Sequence, residues 1–204
     1  MTLWTLLVVT SLQANQNPFH TKLPFKEGII HYAITGSQTG SQTTYIKDYG
    51  KKRLIYRKSY DKIMHADNLH ETLIMITPEW TYSVNLHNKE AIKTSTLQHL
   101  LEEEFEGLTD KEQENILAHT SSIQLGFPCI SLPISGTVTE FTKEGHLALF
   151  SKTNILGYSV QTRATKIEIK ALDKNIFDLP KEMKVREEEA DFGQVTHILE
   201  SLID

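Results

Sequence analysis

The chain has 204 residues, of which 39% are hydrophobic and 23% charged, and its formal net charge is −5. That balance excludes a disordered chain and a broadly basic nucleic-acid-binding surface, and the length suits one domain with a sizeable core. A single cysteine, Cys129, excludes an intramolecular disulfide, and its neighbours Phe127, Ile130 and Leu132 mark it as a small buried packing residue.

The apolar run from Leu3 to Leu12 is too short to cross a bilayer comfortably and fits the central region of a secretory signal over residues 1–14, with cleavage after Ala14. No Lys or Arg precedes it and Leu12 departs from the small-x-small cleavage pattern, so an uncleaved anchor or a buried first helix are the alternatives. Export makes the expected location periplasmic, with residues 15–204 as a single domain. No cysteine follows the run, which excludes lipid attachment there.

Asn15 to Lys26, polar with Pro18 and Pro24, reads as a lead-in segment. Gly28 to Ser59 then reads as a three-stranded meander. Ile30, Tyr32 and Ile34 alternate with polar or smaller neighbours, Gly36 to Gly40 and Gly50 supply turns, and Leu54 and Tyr56 alternate with basic residues. Glu71 to Thr77 is an apolar strand ended by Pro78. Trp80, Tyr82, Val84 and Leu86 alternate with Thr81, Ser83, Asn85 and His87, and Ala91 to Thr94 returns after a turn at Asn88-Lys89. At Ser95 the period becomes helical through Leu97, Leu100, Leu101 and Phe105, with a Ser95–Gln98 capping box. A second box, Thr109 with Glu112, opens a second helix ending near Thr120. A helical insertion over about 95–120 is therefore expected.

Gly126, Pro128 and Pro133 mark an irregular crossing. Strands resume at Gly136 to Phe141 and His146 to Ser151, and Gly157 to Lys170 is a long final strand. Leu156 just before it and Tyr158, Val160, Thr162 and Ala164 within it share one parity while Ile167 and Ile169 take the other, which calls for a bulge or a sharp bend near Thr165. Asp191 with Gln194 caps a C-terminal amphipathic helix bearing Phe192, Val195, Ile198, Leu199 and Leu202. The runs Glu102–Glu104 and Glu187–Glu189 are solvated faces.

Chemistry-bearing motifs are sparse. No nucleophile elbow, phosphate loop, zincin helix or paired-cysteine motif occurs. Gly36 and Gly40 precede a strand, so a hairpin explains them better than a phosphate cradle. Of the nine histidines, His65 and His70 flank a polar loop beside Glu71, five residues apart and divergent if extended, which is short of a metal site. His31 and His146 read as surface or hydrogen-bonded residues. Ser83, His87 and Asp48 form a triad only on paper. The catalytic, metal and cofactor expectations are therefore none. The remaining feature is the apolar strand faces: Trp80, Tyr82, Val84 and Leu86 with Ile30, Tyr32 and Ile34 either form an ordinary core or line the concave side of a curled sheet around a greasy ligand.

Several segments are similar to the periplasmic lipoprotein-carrier superfamily, the outer-membrane lipoprotein-sorting proteins and their relatives. They are the G-x3-G and Tyr45 to Gly50 (YIKDYG) stretches, P-x-W-x-Y at Pro78, Trp80 and Tyr82, A-T-x-I at Ala164 to Ile167, and F-x-x-P at Phe177 to Pro180, over roughly Gly28 to Pro180. The resemblance implies an α+β fold: a curled antiparallel sheet forming an unclosed half-barrel, with a helical lid and a C-terminal amphipathic helix. It implies a non-enzymatic protein holding a lipid or other hydrophobic molecule, with an envelope protein as a further partner, but it maps no contacting residue onto this chain. The residues expected around the ligand come from the apolar faces: Ile30, Tyr32, Ile34, Tyr56, Trp80, Tyr82, Val84, Leu86, Leu97, Leu101 and Tyr158. A structural or interaction module with a filled core is the alternative, and an unrecognised hydrolase the third.

Overall fold

The computed structural model describes residues 22–62, 69–86, 88–96, 106–118, 120–134, 137–145, 147–179, 181 and 183–188. Its meander follows the alternation of the sequence: β1 (Gly28–Gly36), β2 (Gln38–Lys47) and β3 (Lys52–Asp61). It continues through β4 (Leu69–Ile76), β5 (Trp80–Asn85) and β6 (Glu90–Ser95). After one helix, α1 (Asp110–Ala118), come β7 (Thr120–Gln124), β8 (Phe127–Ile134), β9 (Thr137–Thr142), β10 (Ala148–Ile155), β11 (Tyr158–Ile169) and β12 (Lys184–Glu187).

All twelve strands belong to one open sheet, in the order β12-β6-β5-β4-β3-β2-β1-β11-β10-β9-β8-β7. Two meanders, β1–β6 and β7–β11, thus meet along a single antiparallel seam where β1 pairs with β11. β12 is the exception, adding to β6 in parallel.

The α+β expectation is overturned: strands make up 64% and helix 7% of the structure. Two segments account for much of the difference. The stretch read as an irregular crossing is the β7–β8 hairpin, and Lys184–Glu187 adds a strand where none was expected. The expected lid is not found among the described residues: α1 is the helix opened by Thr109 and Glu112, and none of its described side chains lines the cavity described below. The Glu112 carboxylate accepts from both the backbone N–H and the hydroxyl of Thr109. The first expected helix, with Leu97 and Leu101, and the C-terminal helix from Asp191 lie outside the described residues.

The sheet curls so that its two halves touch. Tyr32 on β1 donates its phenol to the carbonyl of Ala148 on β10 at 2.9 Å. Arg53 on β3 donates to Gly50 O at 2.9 Å and to Gly145 O, in the β9–β10 turn, at 2.5 Å. At this end of the curl lies the dry core, with Ile30, Tyr32 and Ile46 facing Cys129, Leu147, Leu149 and Ala164. The lead-in segment is part of it. Leu23, only 2% exposed, and Phe25 are buried here, and Phe25 meets Phe127 edge to face at 6.2 Å. A Cβ on Gly145 (φ 73°) would fall 2.5 Å from Leu23 Cγ, so only glycine admits that leucine.

The bulge expected near Thr165 is present. Along the seam His31 faces Lys166 but Tyr32 faces Ala164, leaving Thr165 extra on β11. It brings Val160, Thr162 and Ala164 and, beyond the bulge, Ile167 onto the side of the sheet that carries Ile30, Tyr32 and Ile34.

Candidate functional site

Register decides which side chains share the inside of the curl. Paired residues of neighbouring strands lie on the same face. From β1 outward, Ile30 pairs with Thr44, Thr44 with Ile55, Ile55 with Ile74 and Ile74 with Ser83. Hence Thr81, Ser83 and Asn85, not Trp80 and Tyr82, continue the face of Ile30. Trp80, Tyr82 and Val84 lie on the opposite face with Tyr56, through the pairs Tyr56–Leu73, Leu73–Val84 and Met75–Tyr82. The two sets grouped by sequence are therefore separated by the thickness of the sheet.

On that outer face, Lys93 Nζ stands 3.5 Å over the Trp80 ring, and Tyr56 donates to Glu71 Oε1 at 2.5 Å. Val84 is buried and Leu86 is exposed just beyond β5. Ile30 and Ile34 are buried on the inner face. Tyr158 stands at the open end of the curl, its phenol donating to Asp61 Oδ2 at 3.1 Å. Leu97 and Leu101 lie outside the described residues. Of the nine expected residues that are described, Tyr32 alone lines the cavity of the curl.

That cavity has a volume of about 280 Å³ and lies on the inner face between the two halves of the sheet. One wall is Tyr32, Gln42 and Arg57 from β1–β3. The other is Thr137, Thr139, Ser151 and Thr162 from β9–β11, with Ala148 and Phe150 beside the irregularity at Leu149. Thr139, Ser151 and Thr162 are successive partners across three strands, so their hydroxyls form a row. Among the described lining residues, all but Tyr32, Ala148 and Phe150 are polar, and none is a carboxylate. The apolar part of the inner face is the end already filled by Leu23 and Phe25.

The polar lining residues differ in how well they are satisfied. Tyr32 is bonded to Ala148 O, and burial raises its phenol far above the ordinary value. Thr137 and Thr153 hydroxyls share a bond of 3.0 Å. Thr139 and Thr162 are 9% and 7% exposed, yet among the described residues neither hydroxyl has a hydrogen-bond partner, nor has that of Ser151. Arg57 has one bond, from Nη2 to Gln38 Oε1 at 2.9 Å, and no carboxylate partner among the described residues. Burial lowers its pKa, opposed by the Tyr158 phenol nearby.

Arg53 is the other buried cation of this face, but its bonds to Gly50 and Gly145 make it a clamp between turns. Burial brings its pKa down to about 10. His31 lies on the outer side, 3.0 Å from Glu168. Among the described residues no three His, Cys, Asp or Glu side chains gather as metal ligands. Thr162 was legible as a lining residue, since it shares parity with Val160 and Ala164. Arg57 was hidden because its strand was read only through Leu54 and Tyr56.

The fold so defined is an open, curled, nearly all-β sheet, filled with apolar side chains at one end and holding a cavity of mixed lining at the other. No protein-family model matches the sequence, and no curated protein matches it. Among solved structures, an uncharacterized conserved protein from Thermus thermophilus is similar at a TM-score of 0.46 and 7% identity, over 80% of this chain and 91% of the other. LprF from Mycobacterium bovis is similar at a TM-score of 0.29 and 7% identity, over 83% of this chain and 93% of LprF. At such scores and identities neither likeness adds to what this chain's own geometry shows.

Proposed function

We propose that the protein is a non-enzymatic binding protein of the cell envelope that takes one small amphiphile in the half-barrel cavity. The cavity of about 280 Å³ between the two walls carries this reading. Its size is at the low end of small-molecule sites, and its polar walls suit a head group better than a whole acyl chain. The apolar part of the ligand has a place at the rim. Two residue pairs beyond Thr153–Val160, the β10–β11 hairpin exposes Ile155 and Leu156 to solvent. The resemblance to lipoprotein carriers supports the amphiphile, and the apolar run at Leu3 to Leu12 supports a periplasmic location.

Titration of a fluorescent short-chain amphiphile into the wild type and Ser151→Phe tests the proposal. Ser151 sits in the middle of the hydroxyl row, so a phenyl ring there occupies the cavity. Saturable binding at one ligand per chain, lost in a variant that still melts cooperatively, is the expected result. A wild type without saturable binding favours the second reading, a structural module, for which the filling of the apolar end by Leu23 and Phe25 speaks.

A further inference from the structure

On the reading that the cavity is a ligand site, we infer that it selects an amphiphile with an oxyanion head, a carboxylate or a phosphate monoester, held by Arg57 and the hydroxyls of Thr139, Ser151 and Thr162. Two independent observations converge on this chemistry. The first is the unbalanced cation. Arg57 is half-buried, and among the described residues it bonds the neutral amide of Gln38 and faces a cavity lined by no Asp or Glu. A guanidinium carries five N–H donors in a planar fork matched to the two oxygens of a carboxylate or phosphate. Removing such a cation from water without a counter-charge is unfavourable, and an anion between the walls offsets it.

The second is the opposite wall. Nearly every buried polar group in a protein is hydrogen-bonded, so buried hydroxyls without a partner call for an explanation. Thr139 and Thr162 are such hydroxyls, and Ser151 stands between them in the same row. All three can donate, as can the Gln42 amide on the Arg57 side, although that amide also reaches Thr44 Oγ1 at 3.4 Å. A cationic head would face Arg57 and be repelled. A neutral head would leave the guanidinium uncompensated.

The test varies the head at fixed chain length: calorimetric titration of octanoate, octyl phosphate, octanol and octyltrimethylammonium into the wild type, Arg57→Gln and Thr162→Val. Octanoate or octyl phosphate should bind at least tenfold tighter than octanol, and octyltrimethylammonium most weakly. Whichever anion is tighter identifies its source as a fatty-acid-like or a phosphate-bearing lipid. Arg57→Gln should lower anion affinity at least tenfold and leave octanol within twofold, and Thr162→Val should lower it about threefold. If Arg57→Gln does not fold, the wild-type titration repeated at rising salt replaces it, with anion affinity falling and octanol affinity constant. Equal affinity for all four heads, or anion binding indifferent to both Arg57→Gln and salt, overturns the oxyanion assignment and leaves the binding function standing. Binding of none of the four overturns both.

Discussion

Leu23 lies before the first strand, in a stretch whose prolines and polar residues read as a lead-in segment, yet it is 2% exposed and packed against Gly50 and Gly145. Leu23→Ala removes a fully buried isobutyl group between two rigid turns. Arg53 holds both turns by their carbonyls, so the site has little freedom to collapse. Leucine-to-alanine changes at such sites cost about 3 kcal/mol, rising with the void left behind. For a chain of this size that is a fall in Tm of about 6–12 °C. Urea melts followed by tryptophan fluorescence should show the midpoint lowered with an unchanged slope. A paired variant sharpens the test. Gly145→Ala is strained by its φ of 73° and by collision with both the backbone N and the side chain of Leu23, and only the side-chain collision disappears when residue 23 is alanine. The cost of Gly145→Ala should therefore be smaller by about 1 kcal/mol or more in the Leu23→Ala background. A Leu23→Ala protein within about 0.5 kcal/mol of the wild type, the range of ordinary surface substitutions, would show that the lead-in segment is not part of the core.

Cys129, fully buried with its thiol pKa raised by burial, should accept serine at a cost on the order of 1 kcal/mol and no change in ligand affinity, measured by melts and titration side by side. Tyr82→Asp, on the face opposite the cavity, should leave amphiphile affinity within twofold of the wild type; a large loss would mean that the ligand sits on the other face. Glu168, bonded by Lys166, Lys170 and His31, has its pKa lowered from 4.5 to about 2. A carboxylate with a depressed pKa stabilises the fold above its unfolded value and loses that contribution as pH falls toward 2. Glu168→Gln should thus melt below the wild type at pH 6, and the difference should close between pH 4.5 and pH 2. N-terminal sequencing of the protein from its host should begin near Asn15, and an intact Met1 in the cytosolic fraction would refute export.

Strand alternation made much of the sheet legible, because half-buried strands write their two faces into the sequence with a period of two. The change of parity between Ala164 and Ile167 even located the Thr165 bulge. What alternation cannot supply is the relation between strands. Trp80 and Ile30 each mark an apolar side, but only the ladder through Thr44, Ile55 and Ile74 reveals that the two sides are opposite. Turn chemistry hid one hairpin. Leu125-Gly126 has both residues at positive φ, 49° and 86°, a conformation for which Asn-Gly is the usual signal. With Pro128 and Pro133 beside it, the segment resembled a break rather than two strands. The candidate site was least legible, because its threonines and Arg57 look in sequence like the solvent face of a strand.

The seam between β1 and β11 bears on how the chain reaches this structure. Most other ladders join strands that are neighbours in sequence and need only a short loop to close. Two meanders can therefore form early and independently, each with one face still wet. Joining them requires strands from opposite ends of the described chain to meet, which is entropically slow. The out-of-step residue at Thr165 lies within that seam, so the zipper cannot close by sliding one residue without turning the inner side chains of β11 outward. Refolding kinetics should accordingly contain one slow step that is sensitive to changes at Tyr32, Ala164 and Thr165. The same changes within the β4–β5 hairpin should mainly alter the rate of unfolding.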